Sequence, residues 1–247
     1  MMKLLKISFV CAFFGACLLC STPLFAGLSD LLKGAGKALQ SGGEGPSEDK
    51  IVQGLKEALE IGSNNAVDIV SKVDGYYRNP TIRIPLPGPV QKVEKVLRGI
   101  GYGSQVDAFE ESMNRAAEKA APEAKGLFLD TIRGMSFEDA GKILKGRDNE
   151  ATLYFRENTW DRLAQSFKPL VHSAMSGVGV TRLYQDLEMK VMGLPFGSGL
   201  GLDLDQYVTE GALDGLFLML QEEERKIRRN PAARVTDLLK EVFGKNP

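Results

Sequence analysis

From Leu28 to Phe243 apolar residues return every three or four positions, and that spacing predicts a chain built almost wholly of helices. A first amphipathic stretch carries Leu28, Leu31, Leu32, Ala35, Ala38 and Leu39, with Ser29 placed to cap it. The Gly/Ser-rich run at 41–47 follows as a linker, so residues 27–47 form a lead helix and tether. Ser47, Glu48 and Asp49 then make a helix start: a hydroxyl for free N–H groups, followed by two acids at the positive end of the dipole. Ile51, Val52, Leu55, Ala58, Leu59, Val67, Ile69, Val70 and Val73 keep the period, with a break expected at Gly62. Residues 81–87 alternate apolar side chains with others. Their prolines cannot donate to a central ladder, so an extended strap or short edge strand is expected there.

The pattern resumes with Val90, Val93, Val96 and Leu97 as far as the Gly-rich turn at 99–103. Phe109, Met113, Ala116, Ala117 and Ala120 mark the next helix, and Pro122 opens another carrying Leu127, Phe128, Ile132 and Met135. Ser136 and Asp139 form a capping box ahead of Ala140, Ile143 and Leu144, with Gly146 as the stop. Asp148 is expected to cap the helix of Ala151, Tyr154, Phe155, Leu163 and Phe167. Leu170, Val171, Ala174, Met175 and Val178 continue it, interrupted at Gly177 and Gly179. Leu183, Tyr184, Leu187 and Val191 give a further helix, and Asp205 is expected to cap the cleanest run, Val208 to Ile227. Asn230–Pro231 opens the last, with Val235, Leu238, Leu239, Val242 and Phe243. No βαβ unit and no internal repeat is visible. The expected fold is mostly α: one domain over residues 48–244, about eight to ten packed helices, with a short Pro-rich strap at 81–87.

The N-terminus changes where this domain is expected to work. Lys3 and Lys6 precede an apolar run from Ile7 to Cys20, and Ala26 offers a cleavage point, the pattern of an export signal over residues 1–26. The run is shorter than the roughly 20 residues that span a bilayer, so no transmembrane span is expected in the mature chain, and a periplasmic location is. The alternative is a lipid anchor through Cys17, which follows Gly15 and Ala16. Cys11, Cys17 and Cys20 all lie within the signal, so the segment after Ala26 has no disulfide, no thiolate nucleophile and no cysteine metal site. The 31 basic residues include Lys3 and Lys6, leaving 29 against 32 acids after cleavage, a net charge of −3. Such a balance gives no electrostatic ground for a nucleic-acid partner. With one histidine, His172, neither a metal centre nor any cofactor is expected.

Two groups of residues stand out as candidates for binding. The glycine-rich stretch 193–202 lacks the Lys-Ser/Thr of a phosphate loop, yet it carries Leu194, Phe196, Leu200 and Leu202 on a pliant backbone, suited to a lipid or protein contact. Asn114, Arg115 and Glu118 lie within one turn of an alanine-rich helix, as an inward network that orders the core or as a ligand site. Residues 203–214 do not fit a calcium loop, because Val208 stands where glycine is required. The run Glu222–Arg229 reads as a solvated helix face with Glu222–Lys226 and Glu224–Arg228 pairs. Trp160 reads as core or as an interface anchor.

The motifs Met113-Asn114-Arg115-Ala116-Ala117-Glu118, Ala151-Thr152-Leu153-Tyr154-Phe155-Arg156, Tyr207-Val208-Thr209 and Ala212-Leu213-Asp214-Gly215-Leu216-Phe217 resemble a bacterial family catalogued as domain of unknown function 4197. Gly54-Leu55-Lys56-Glu57-Ala58-Leu59, Ile84-Pro85-Leu86-Pro87 and the stretch from Ile227 to Gly244 fit it as well. The resemblance spans residues 50–244 and implies a helical, exported protein of Gram-negative-type bacteria. It carries no activity, cofactor or catalytic residue with it. The glycine-rich insert at 193–202 departs most from the family pattern.

The expected function is therefore a non-enzymatic periplasmic protein that binds a hydrophobic ligand, such as a lipid, or an envelope protein. Two alternatives stand beside it. One is a carboxylate hydrolase of an envelope polymer using Glu118, Asp214 or Glu223 in a cleft. The other is a structural or chaperone-like envelope protein.

Overall fold

Ser47 starts the first helix as its side chain accepts the Lys50 N–H, and Glu48 and Asp49 fill the first turn. A computed structural model describes residues 47–177, 180–193 and 201–229. The signal, the lead stretch up to residue 46, Leu194, Phe196, Leu200 and the expected closing helix after Asn230 lie outside the described residues. What is described is mostly helical and contains no strand.

The helices are α1 (Glu48–Val70), α2 (Gly88–Gly99), α3 (Gly103–Ala120), α4 (Ala124–Gly134), α5 (Phe137–Lys145), α6 (Glu150–Gly177), α7 (Val180–Met192) and α8 (Leu204–Arg229). A 3-10 turn at Ala121–Glu123, holding Pro122, joins α3 to α4. No described helix is long and apolar enough to cross a membrane. Helix α8 lies at the centre and packs on α1, α3 and α6. Its Phe217 meets Phe128 edge-on at 6.0 Å, and Phe128 meets Phe155 at 5.1 Å, so three helices share one aromatic cluster.

Several local expectations are corrected by tertiary packing. Gly62 does not break α1; it is buried, and a Cβ there would lie 3.3 Å from Ile227 Cδ1, so the glycine admits α8 instead. Asp203, not Asp205, caps α8, accepting the Gln206 N–H at 2.9 Å. Asp148 does not cap α6 but pairs with Arg229. The first N–H groups of α6 are taken by Glu224, reaching over from α8: Ala151 at 3.0 Å and Thr152 at 2.9 Å. That position draws on the partial positive charge of the helix start. Helix α6 then runs unbroken through Pro169 to Gly177. The capping box of Ser136 and Asp139 is present in full at the head of α5.

Between α1 and α2 the chain turns through residues 71–87. Residues 83–87 adopt no regular element, while Ile82, Ile84 and Leu86 are buried and the residues between them are exposed. Asp74 sits at φ 68°, the left-handed region that asparagine and aspartate tolerate better than most side chains. The segment lies on a glycine face of α8. A Cβ on Gly215 would come within 2.6 Å of the Tyr76 ring and 3.1 Å of Ile82, and one on Gly211 within 3.1 Å of Ile84.

Candidate functional site

Asn114, Arg115 and Glu118 come together beneath this segment. Asn114 is fully buried, and its amide does the work of a missing strand: Oδ1 accepts the Ile84 N–H at 2.8 Å, and Nδ2 donates to the Ile84 carbonyl at 2.9 Å. The same Nδ2 donates to the Glu110 carbonyl at 2.8 Å. Glu118 Oε1 accepts the N–H groups of Tyr76 and Tyr77, at 3.1 and 3.3 Å, and its Oε2 takes Arg115 at 2.8 Å. Arg115 also reaches Asp74 at 2.6 Å and Glu111 at 3.0 Å. Burial disfavours its charge, yet these three carboxylates hold the guanidinium above its ordinary pKa.

The network extends to the surface through Tyr77, whose ring lies 5.4 Å from the Arg115 guanidinium and 4.6 Å from that of Arg83. Arg83 is in turn bound to Glu110 at 2.6 Å. Tyr76 points the other way and donates its hydroxyl to the Ala212 carbonyl at 2.6 Å. Burial, and then the Glu118 charge, raise that phenol above its ordinary pKa. Each polar atom that Asn114 and Glu118 turn inward has a partner in the protein. The arrangement holds residues 74–86 onto α3 and α8.

The carboxylates weighed for hydrolysis are likewise engaged. Glu118 is held as described. Asp214 pairs with Arg156 at 2.7 Å, and Glu223 accepts from Asn65 at 3.2 Å and from Lys226 at 2.5 Å. The run 222–229 is not a solvated face throughout, since Glu223 and Glu224 are buried. The expected Glu224–Arg228 pair is present, but Glu222 pairs with Arg225 instead of Lys226. His172, exposed on α6, lies 2.9 Å from Asp205. Trp160 is stacked on Phe217 at 5.8 Å with Arg156 over its ring at 4.3 Å, part of the core's edge. No cluster of His, Cys, Asp or Glu suited to a metal exists among the described residues. A narrow apolar crevice between α1, α5, α6 and α8 is lined by Leu55, Leu59, Ile143, Phe155, Leu220 and Ile227, and the Glu224–Arg228 pair stands at its polar edge.

Of the candidate apolar residues in the glycine-rich stretch, Leu202 alone is described. It packs against the core, and its N–H donates to the Tyr184 hydroxyl at 3.2 Å. Leu194, Phe196 and Leu200 fall outside the described residues. A different apolar surface emerges nearby. Seven large apolar side chains are exposed among the described residues, and four of them, Val96, Ile100, Met189 and Met192, belong to α2, its cap and α7. Met189 is 64 % and Met192 57 % exposed. Helices α2 and α7 touch, and Lys190 stands 5.1 Å from the Tyr102 ring just beyond α2. Val96 fits the helical period and so reads as core. Exposure is set by which neighbour covers a face, and the period is silent about that.

No curated protein and no solved structure gives a significant match to this chain. The family model described as protein of unknown function DUF4197 matches residues 45–244. That span holds every described helix and the whole network around Asn114, Arg115 and Glu118. The chain belongs to the DUF4197 family of proteins of unknown function.

Proposed function

We propose that the protein is exported through its N-terminal signal to the periplasm, and that it serves there as a non-enzymatic helical binding protein for a hydrophobic ligand or an envelope protein. The observation that carries this reading is the concentration of exposed apolar side chains at α2 and α7. Scattered surface apolar residues need no explanation, whereas four of the seven here fall on two helices that touch, or on the cap of one, as a contact face would require. Methionines suit such a face because their unbranched, polarisable side chains adapt to different partners. In sequence, Met192 is followed two residues later by the stretch carrying Leu194, Phe196 and Leu200, the residues expected to bind. The hydrolase alternative gains no support from Glu118, Asp214 or Glu223, each of which is tied to a cation. A chaperone-like role would use the same apolar face.

Two measurements test this. Intact mass of the protein recovered from the periplasm should correspond to a chain beginning at Gly27; an acylated chain beginning at Cys17 would replace free export by anchoring, and a full-length cytoplasmic chain would end the export reading. A photocrosslinker placed at position 192 in living cells should give one defined lipid or envelope-protein adduct. A yield no higher than that from an exposed position on α4, such as Lys125, would remove the binding face.

A further inference from the structure

Lys92, Lys95, Val96, Gly99 and Ile100 recur at i, i+3, i+4, i+7 and i+8, so they share one side of α2 and its cap, and all five are exposed. Only Val90 and Leu97 of this helix are buried. It therefore lies shallowly on the body of the protein and turns most of its surface to solvent. Its other cation, Arg98, is bound to Glu94 and Asp107 at 2.9 and 2.7 Å. Lys92 and Lys95 make no ion pair with any described residue. Helix α7, which touches α2, exposes Met189 and Met192, while its Lys190 turns to the Tyr102 ring. The two helices together carry five cations (Lys92, Lys95, Arg98, Arg182 and Lys190) against three acids (Glu94, Asp186 and Glu188), in a chain whose overall charge is −1.

We propose that this face docks on the surface of a bilayer rich in anionic headgroups, with Val96, Ile100, Met189 and Met192 entering the acyl boundary and Lys92 and Lys95 meeting the phosphates. Interfacial helices hold to membranes by this combination, an apolar strip flanked by lysines whose long stems reach the headgroups. Charge selects the occupant. A second copy of the chain meeting the face in a two-fold contact would bring Lys92 and Lys95 towards their own equivalents, whereas an anionic surface compensates them. The side chains that protrude are also flexible ones, Met and Lys, which conform to a fluid surface without needing a matched pocket.

The inference rests on the binding face proposed above and fails separately from it. The test is co-sedimentation of the full mature chain with vesicles of phosphatidylglycerol and phosphatidylethanolamine, set against vesicles of phosphatidylcholine alone. Binding should be confined to the anionic vesicles and should weaken several-fold on going from 0.1 to 0.5 M salt, roughly the range over which screening removes exposed-charge attraction. The double variant Lys92→Gln/Lys95→Gln should reduce binding about tenfold or more, given the contribution of each lysine near an anionic surface. Val96→Ser/Ile100→Ser should reduce it with the charges intact. All four positions are exposed, and unchanged circular dichroism and Tm will establish that the variants are folded. Phe137→Ser, an exposed apolar residue on another helix, should leave binding unaltered. Equal binding to neutral vesicles, no binding to either, or indifference to both double variants overturns the proposal. A crosslinker at position 96 that captures a single envelope protein and no lipid overturns it too, while sustaining the wider binding role.

Discussion

Asn114 holds both backbone polar groups of Ile84, accepting its N–H at 2.8 Å and donating to its carbonyl at 2.9 Å across 30 residues of sequence. The side-chain amide reproduces the pairing that a neighbouring strand would have given. A proline-flanked segment unable to join a sheet is thereby buried without orphaned peptide groups.

Asn114→Ala should therefore cost far more than a helix-surface substitution. It leaves the Ile84 N–H and carbonyl buried and unpaired, a loss of about 3 kcal/mol at 1–3 kcal/mol per orphaned group. Urea unfolding reads it directly. A midpoint within error of wild type would mean that the segment has another means of anchorage.

Gly215 and Gly126 offer one substitution with two signs. Both are helical, but a Cβ on Gly215 meets the Tyr76 ring at 2.6 Å, whereas one on Gly126 meets nothing within 4 Å. Gly215→Ala should destabilise by about 1–3 kcal/mol through overpacking. Gly126→Ala should stabilise by up to about 1 kcal/mol through helix propensity. Paired thermal melts should move in opposite directions.

Glu224 joins α8 to the start of α6 and to Arg228. Removing it with Glu224→Ala takes the acceptor from two N–H groups and breaks the pair with Arg228, which keeps its bond to the Ile143 carbonyl, and the loss should reach about 3 kcal/mol. Thr152→Val deletes only the hydroxyl bond to Glu224, 2.8 Å long, and should cost about 1 kcal/mol. The ratio of the two effects, measured by denaturant titration, separates a remote cap from a simple contact.

Acid should weaken the fold through its capping carboxylates. The Ser136 hydroxyl holds the Asp139 carboxyl below its ordinary range, and the Gln206 N–H followed by Lys168 does the same for Asp203. A carboxyl depressed in the folded state contributes its full stabilisation above the unfolded value, near 4, and loses it as pH falls through the folded value. The Tm of wild type should thus drop between about pH 4 and pH 2 by more than that of Asp139→Asn/Asp203→Asn. Parallel curves for the two proteins would exclude these groups as the cause.

The Thr209 hydroxyl is buried with no hydrogen-bond partner among the described residues. Thr209→Val keeps the shape and removes the unsatisfied oxygen, so stability should rise by about 1 kcal/mol. A loss on calorimetry would show that the hydroxyl is satisfied in solution.

Sequence legibility followed the range of the interaction. The starts at Ser47 and Ser136 were readable because donor and acceptor lie three residues apart, and the helical period was readable because burial repeats with each turn. The cap of α6 was not, since Glu224 lies 73 residues from Ala151 and local reading favours Asp148. Gly62 and Gly215 look like weaknesses in isolation; only the positions of Ile227 and Tyr76 explain them. Asn114, Arg115 and Glu118 could be singled out as polar residues in an alanine-rich helix, but their partners at 74–84 could not. Val96 has the spacing of a core residue, and its exposure depends on how little of α2 the rest of the protein covers.

Much of the architecture converges on its last described helix. The 71–87 turn needs the glycine face at Gly211 and Gly215, and the head of α6 needs Glu224, so neither can settle until α8 is present. A chain leaving the ribosome N-terminus first thus cannot complete these two regions until α8 has emerged. Closure of these two regions is then a late event, set by the last helix they share.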